Sequence, residues 1–230
     1  MAHALAADAG FEVAAAAHGL LLEQISMIEH LRHHSPAAKR NRGPIQAELQ
    51  RLLPDSGLML EIASGTGEHT AHFSAGLPGW QWQPSDFEAA ALPSIAAWFA
   101  GLDRVRAPLQ LDVMSASWPG VPPQVDAIFC ANMIHIAPWA CCAALMRGAA
   151  RQLAPQGVLI TYGPYLEDEV QTSPGNAAFD ADLRARHRDW GLRRREDVEG
   201  QAALCGLVLR ERVLMPANNL LLVWGRSKAA

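Results

Sequence analysis

Four polar residues, each at the end of an apolar run, carry the chemistry that this sequence can offer. Glu61 closes "LMLEI" and runs into Ala63, Ser64, Gly65 and Gly67 of "EIASGTGEHT". Asp86 follows "WQWQPS", Asp112 follows "APLQL", and Asn132 follows "DAIFCA". Glycines set this closely after a strand let backbone approach a ligand, because no Cβ stands in the way. A carboxylate roughly 20 residues further on can accept both hydroxyls of a ribose.

Three ligands compete for the glycine turn. A phosphate-cradling loop needs G-x-x-x-x-G-K-[ST], and no Lys-Ser or Lys-Thr follows here. A dinucleotide fingerprint needs a third glycine where this chain has Thr70. That weakens the dinucleotide reading without excluding it, and leaves the pattern of a carboxylate at a strand end, Glu61, followed by a tight glycine turn into a helix. Each residue also has a plainer reading: Glu61 could brace a loop, Ser85 with Glu88 could form a capping box that makes Asp86 a helix start, and Asp112 or Asn132 could serve turns. Jointly they fall at the carboxyl ends of successive strands, the edge where open α/β sheets bind ligands.

The elements that must position them follow from periodicity. Strands are expected at 58–63, 80–85, 107–113, 126–133 and 158–163, with helices at 67–76, 88–100 and 138–153, an alternation that builds a parallel sheet covered on both faces. Further helical segments near 176–189 and 195–205 precede "LVLRERVLM" and "NLLLVWG", which only "PAN" separates. So short a link permits an antiparallel pair alone. The fold expected is α/β and Rossmann-like, a seven-stranded mostly parallel sheet ending in an antiparallel hairpin. Residues 1–34, with Leu21, Ile25, Ile28 and Leu31 near helical spacing, read as a helical extension before a single domain over 35–230. It suits a lid, a dimer contact or a loosely held arm, and a homodimer through it is one arrangement it allows.

The carboxylate-and-glycine turn resembles the first motif of class I S-adenosylmethionine-dependent methyltransferases, usually E/D-x-G-x-G-x-G. Ala63 replaces the first glycine, which a small residue can do with a negative φ. "SPAAKRNRGPI", "WQPSD", "NMIHIAPW", "YGPY", "PGNAAFD" and "MPANNLLLVW" extend the resemblance over about 35–226 to a small methyltransferase-like family long filed as a domain of unknown function. That resemblance implies methyl transfer to a small molecule, with S-adenosyl-L-methionine as methyl donor. It places Asp112 and neighbouring Val113 by the adenine, Asn132 and Met133 by the methionine moiety, and Arg40 and Asn41, ahead of the first helix of the domain, where they close over the cofactor. An Arg there can pair with the methionine carboxylate.

An in-line displacement asks chiefly for orientation, with a base only for some acceptors. His135 is the candidate base, expected at the pocket mouth and titrating near neutrality, unless it merely packs. Tyr162 and Tyr165 are candidate hydrogen-bond donors to the acceptor, and Asn176 and Asp180 candidate walls of its pocket. Asn218 and Asn219 suit a hairpin turn. His69 and His72, one helical turn apart, lack a third metal ligand and suit a helix surface. The basic run "LRARHRDWGLRRRED" reads as a solvated helical face.

The net charge of −4 gives no reason to expect nucleic acid as a partner. No apolar stretch reaches membrane-spanning length and no basic, apolar leader opens the chain, so no membrane partner is expected. Four cysteines without paired spacing suit a reducing, cytoplasmic setting. Two other functions stay open: a non-catalytic S-adenosylmethionine-binding protein working in an assembly, and a nicotinamide-dependent oxidoreductase.

Overall fold

The computed structural model describes Ser26 and residues 28–227. Leu21 and Ile25 lie outside the described residues. Helices are α1 (Pro36–Leu52), α2 (Glu68–Gly76), α3 (Leu92–Trp98), α4 (Trp139–Gln152), α5 (Pro174–Arg186) and α6 (Arg195–Ala203). Strands are β1 (Gly57–Ile62), β2 (Trp80–Asp86), β3 (Leu109–Gln110), β4 (Val125–Ala131), β5 (Leu153–Gly163), β6 (Tyr165–Leu166), β7 (Arg193–Arg194), β8 (Leu207–Met215) and β9 (Asn219–Arg226).

Seven strands form one sheet in the order β3-β2-β1-β4-β5-β9-β8, and β6 pairs with β7 separately. The first five are parallel, while β9 runs antiparallel to both β5 and β8. The strand order reverses between β1 and β4, the switch point at which such sheets open a crevice. Alternate residues of each strand feed two cores: Leu60, Ile62, Leu159 and Trp224 pack with Leu145 and Met146 of α4. On the other face, Met59, Ile160 and Val223 pack with Ile45 of α1, Phe73 of α2 and Ile95 of α3.

Three expectations are corrected. Arg40 and Asn41 do not precede the first helix but lie inside α1, which starts at the Ser35 cap and runs through Pro44. A proline that far into a helix gives no N–H to the carbonyl four residues back, so in sequence it reads as a boundary. β3 covers two residues rather than seven: Val105 bridges Trp82, Pro108 has no N–H to give, and pairing resumes at Leu109 before Asp112 turns the chain. The helix expected over 88–100 is a 3-10 turn, Ala89–Ala91, followed by α3, because Pro93 fits only a first turn.

"PAN" makes the expected hairpin turn, with Ala217 and Asn218 at φ 58° and 55°. Among the described residues no helix is long and apolar enough to cross a membrane.

Beneath the sheet edge, the hydroxyl of fully buried Thr161 on β5 accepts from Tyr165 Oη and Trp224 Nε1, each at 3.0 Å. Thr161→Val keeps the shape and orphans both donors. It is expected to lower unfolding free energy by about 2–6 kcal/mol in urea denaturation, since each of the two buried unsatisfied groups costs about 1–3 kcal/mol.

Candidate active site

The chain leaves β1 through Ala63 at φ 56°, turns at Gly65 with φ 59°, and enters α2 at Gly67 with φ 92°. The negative φ expected of Ala63 is therefore overturned: the alanine takes the left-handed conformation that a glycine would adopt without strain. Gly67 is required on two grounds, its angle and its neighbour, because a Cβ there would stand 2.7 Å from Ile95 Cα of α3. Around Gly65 a Cβ would meet no atom within 4 Å, so this part of the turn faces open space.

β2 holds that turn in place. Ser64 N–H donates to the Ser85 carbonyl at 2.9 Å, Ser85 Oγ donates to the Glu61 carbonyl at 2.7 Å, and Gly65 N–H donates to Asp86 Oδ2 at 2.8 Å. Asp86 Oδ1 accepts from Glu88 N at 3.0 Å. The capping box of Ser85 with Glu88 does not form, because the Ser85 hydroxyl is committed to β1. Asp86 keeps further lone pairs on both oxygens.

Glu61 is almost wholly buried and accepts a hydrogen bond from the Thr70 hydroxyl of α2. Burial pushes its carboxyl up to about 8, against the opposing hydrogen bonds of Thr70 and Ser64. Asp112 lies exposed past β3 and accepts from Met114 N at 2.8 Å, which leaves Oδ2 free, while Val113 is buried. Next to these acids stand Phe87 and Met114, 59% and 48% exposed, large apolar side chains that the sequence reading missed. The available signal was their place, each within two residues of a strand-terminal acid.

Asn132 takes a left-handed conformation at φ 62° and donates its N–H to the Tyr162 carbonyl at 2.8 Å. It leads into the 3-10 turn Met133–His135, whose three residues are buried. From α1, Asn41 Oδ1 lies 2.7 Å from His69 Nε2, and the Asn41 side chain also bonds the buried Tyr162 hydroxyl. His69 is thus not a helix-surface residue: it is buried, stacks on Phe73, and burial holds it down to about 4. Exposed Arg40 acts electrostatically on the same Tyr162. Residues 32–35 strap this corner, with His33 N–H donating to Ser94 Oγ at 2.9 Å and Ser35 N–H to the Glu68 carboxylate.

His135 departs from expectation. It is buried rather than at a mouth, its ring meets Tyr165 edge-on at 4.9 Å, and neither ring nitrogen has a hydrogen-bond partner. Burial, reinforced by Arg193, holds it down to about 3, so the near-neutral titration expected of a base is overturned. Tyr165 spends its hydroxyl on Thr161 and stands in the core. Ser173 caps α5, and the Asn176 amide reaches the Asn218 carbonyl of the β8–β9 turn at 2.9 Å. Asp180 accepts from Leu192 N at 2.7 Å and Arg184 Nε at 2.9 Å.

The basic run is not simply a solvated face. Arg193 donates to the Ile134 and Ala137 carbonyls, tying this region to the turn that carries His135. Between Tyr165, Glu167, Thr172, Asn176 and Arg212 lies a cavity of about 100 Å³. Among the described residues no group of three or more His, Cys, Asp or Glu could hold a metal ion.

This strand order, with the glycine turn and acids at its carboxyl edge, defines the Rossmann-like fold of class I methyltransferases. Solved structures share it. CalO1, a methyltransferase in calicheamicin biosynthesis in its S-adenosylhomocysteine-bound form, superposes with a TM-score of 0.64 at 18% identity over 96% of this chain and 60% of its own. The mitomycin 7-O-methyltransferase MmcR gives 0.70 at 14%, over 87% of this chain and 60% of its own. An O-methyltransferase family 2 protein from Planctomyces limnophilus, in complex with apigenin, gives 0.64 at 19%, over 81% and 62%. The chain therefore spans less than two thirds of the length of these proteins. It belongs to the family described as "Protein of unknown function (DUF938)", which matches residues 32–226.

Two outcomes are expected. Ala63→Gly relieves a left-handed alanine that costs about 1–2 kcal/mol, less the flexibility that glycine adds to the unfolded chain, for a net gain of about 0.5–1 kcal/mol in denaturant melts. His135 contributes stability that is present above pH 6.5 and lost as pH falls towards 3, because the unfolded chain takes up a proton that the folded chain refuses. The stability deficit of His135→Asn against wild type is therefore expected to shrink from pH 7 to pH 5 by about 2 kcal/mol, at ~1.4 kcal/mol per pH unit below 6.5. A constant deficit across that range would show that His135 does not titrate in this way.

Proposed function

We propose that the protein transfers a methyl group from S-adenosyl-L-methionine to a small-molecule acceptor by in-line displacement. One observation carries this reading: an open glycine turn pinned by Asp86, with Glu61 buried behind it and Asp112 exposed beside it. The carboxylates of Asp86 and Asp112 repel a polyphosphate, and with the buried carboxyl of Glu61 they suit an uncharged nucleoside with a cationic tail. The residues fit such a group. Asp86 has lone pairs left for ribose hydroxyls, Asp112 Oδ2 is free for an adenine amino group, and Phe87 and Met114 offer apolar faces to the ring. Glu61 faces an ammonium, Asn132 and Met133 line the tail, and Arg40 offers a guanidinium to its carboxylate.

When bound, S-adenosylmethionine supplies a methyl on a positively charged sulfur. The work of this chain is to orient and to exclude water. The strap at 32–35 and Asn41, which joins His69 to Tyr162, cover the corner above the glycine turn. His135 faces the acceptor side as a neutral ring, able to accept a hydrogen bond without holding a charge, and Asp180 and Asn176 frame that side. Solved structures of the same fold include the complex with apigenin, which supports a small-molecule acceptor. Four free thiols suit a reducing compartment such as the cytoplasm.

The burial of His135 and the engaged hydroxyl of Tyr165 favour a second reading in one respect, since neither is a ready base: a protein that binds the cofactor and transfers nothing. Turnover separates the two. A metabolite screen with labelled methyl donor is expected to find an acceptor, and His135→Ala to abolish its methylation with cofactor affinity retained. Asp86→Ala is expected to weaken S-adenosylhomocysteine binding by about 1–3 kcal/mol in calorimetry. Tight NAD binding without any S-adenosylhomocysteine binding would sink the proposal in favour of an oxidoreductase.

A further inference from the structure

Glu61 is a carboxyl sealed into the sheet edge, and among the described residues no cation neutralises it. Thr70 of α2 and Ser64 of the turn give it hydroxyl hydrogen bonds. Among the described residues the titratable groups facing it are acids: Asp86 at the end of β2, whose charge opposes its own, and the Cys130 thiol on β4, which it disfavours from ionising in turn. The backbone of Glu61 is fixed on both sides, by the β1 ladder and by the Ser85 hydroxyl on its carbonyl. A buried carboxylate beside a second carboxylate is costly unless a cation or a proton answers it.

We infer that a nucleoside carrying an amine tail enters this site by displacing a proton, Glu61 being a neutral carboxyl in the free protein and the carboxylate partner of the ligand's ammonium once bound. This rests on the function proposed above. The balance is simple. The O–H bond of Glu61 breaks, its proton goes to buffer, the electron pair stays on the carboxylate, and no bond between heavy atoms changes. The elevation of this carboxyl to about 8 places the exchange across the neutral range. Binding strengthens as pH rises towards 8, by up to about tenfold per pH unit, because the competing proton is progressively absent. The amine, not the nucleoside, drives the exchange, so the site reads the amino-acid tail by charge.

Isothermal titration of S-adenosylhomocysteine tests this, since that ligand carries the ammonium without the sulfonium charge. At pH 7, in phosphate and in Tris, the observed heats are expected to differ by the buffers' ionisation heats multiplied by about one proton released. 5′-Methylthioadenosine, which has the nucleoside and lacks the amine tail, is expected to bind with no proton release. Glu61→Gln is expected to bind S-adenosylhomocysteine without release and without the pH dependence. Should that variant fail to fold, the two ligands on wild-type protein still decide. Heats for S-adenosylhomocysteine that do not depend on buffer overturn the inference and leave the cofactor assignment intact, as does equal release with 5′-methylthioadenosine. Absence of S-adenosylhomocysteine binding overturns the cofactor assignment, and the inference with it.

Discussion

The backbone amides that leave β1 have to find acceptors, and β2 supplies them. Ser64 N–H goes to the Ser85 carbonyl, Gly65 N–H to Asp86, and Ser85 returns a hydrogen bond to Glu61. A turn of this kind, freed of side chains by its glycines, would otherwise sample many conformations. Tying it to the neighbouring strand converts a flexible segment into a fixed surface, and it fixes the acids by the same bonds. Asp86 is therefore a structural acceptor for the turn. The placement of α2, the burial of Glu61 and the close seat of α3 on Gly67 all follow from that stitching.

A second consequence concerns charge. The Asp86 carboxylate, set beside the buried Glu61 carboxyl at the adjacent strand end, creates a field hostile to anions and receptive to a cation. The histidines nearby add little positive charge, since burial keeps His69 and His135 neutral through the physiological range. The exposed guanidinium of Arg40 stands on α1.

Much of this was legible in residues with local causes. The strands around Glu61 and Asn132, the glycine turn and the antiparallel return after "PAN" follow from periodicity and link length. What escaped depends on contacts between distant segments. Pro44 looks like a boundary because its effect on a helix is local, yet α1 passes through it, with Ile45 and Leu49 buried in the core. The sign of φ at Ala63 is imposed by the tie of Ser64 to β2. The depth of His135 is set by Tyr165 and by Gly191, whose N–H bonds the His135 carbonyl from 56 residues away, so no window around "NMIHIAPW" contains the reason.

The order β5-β9-β8 has a temporal meaning. β8 is synthesised before β9 and lies at the outer edge, with no sheet to join until β9 slots in between. Until β9 pairs with it, the flank of β5 stays open. Only arrival of residues 219–226 lets the hairpin fold back, bringing the Asn218 carbonyl to Asn176. A ribosome that stops short of β9 releases a chain with an unpaired apolar strand flank, ready for aggregation or proteolysis.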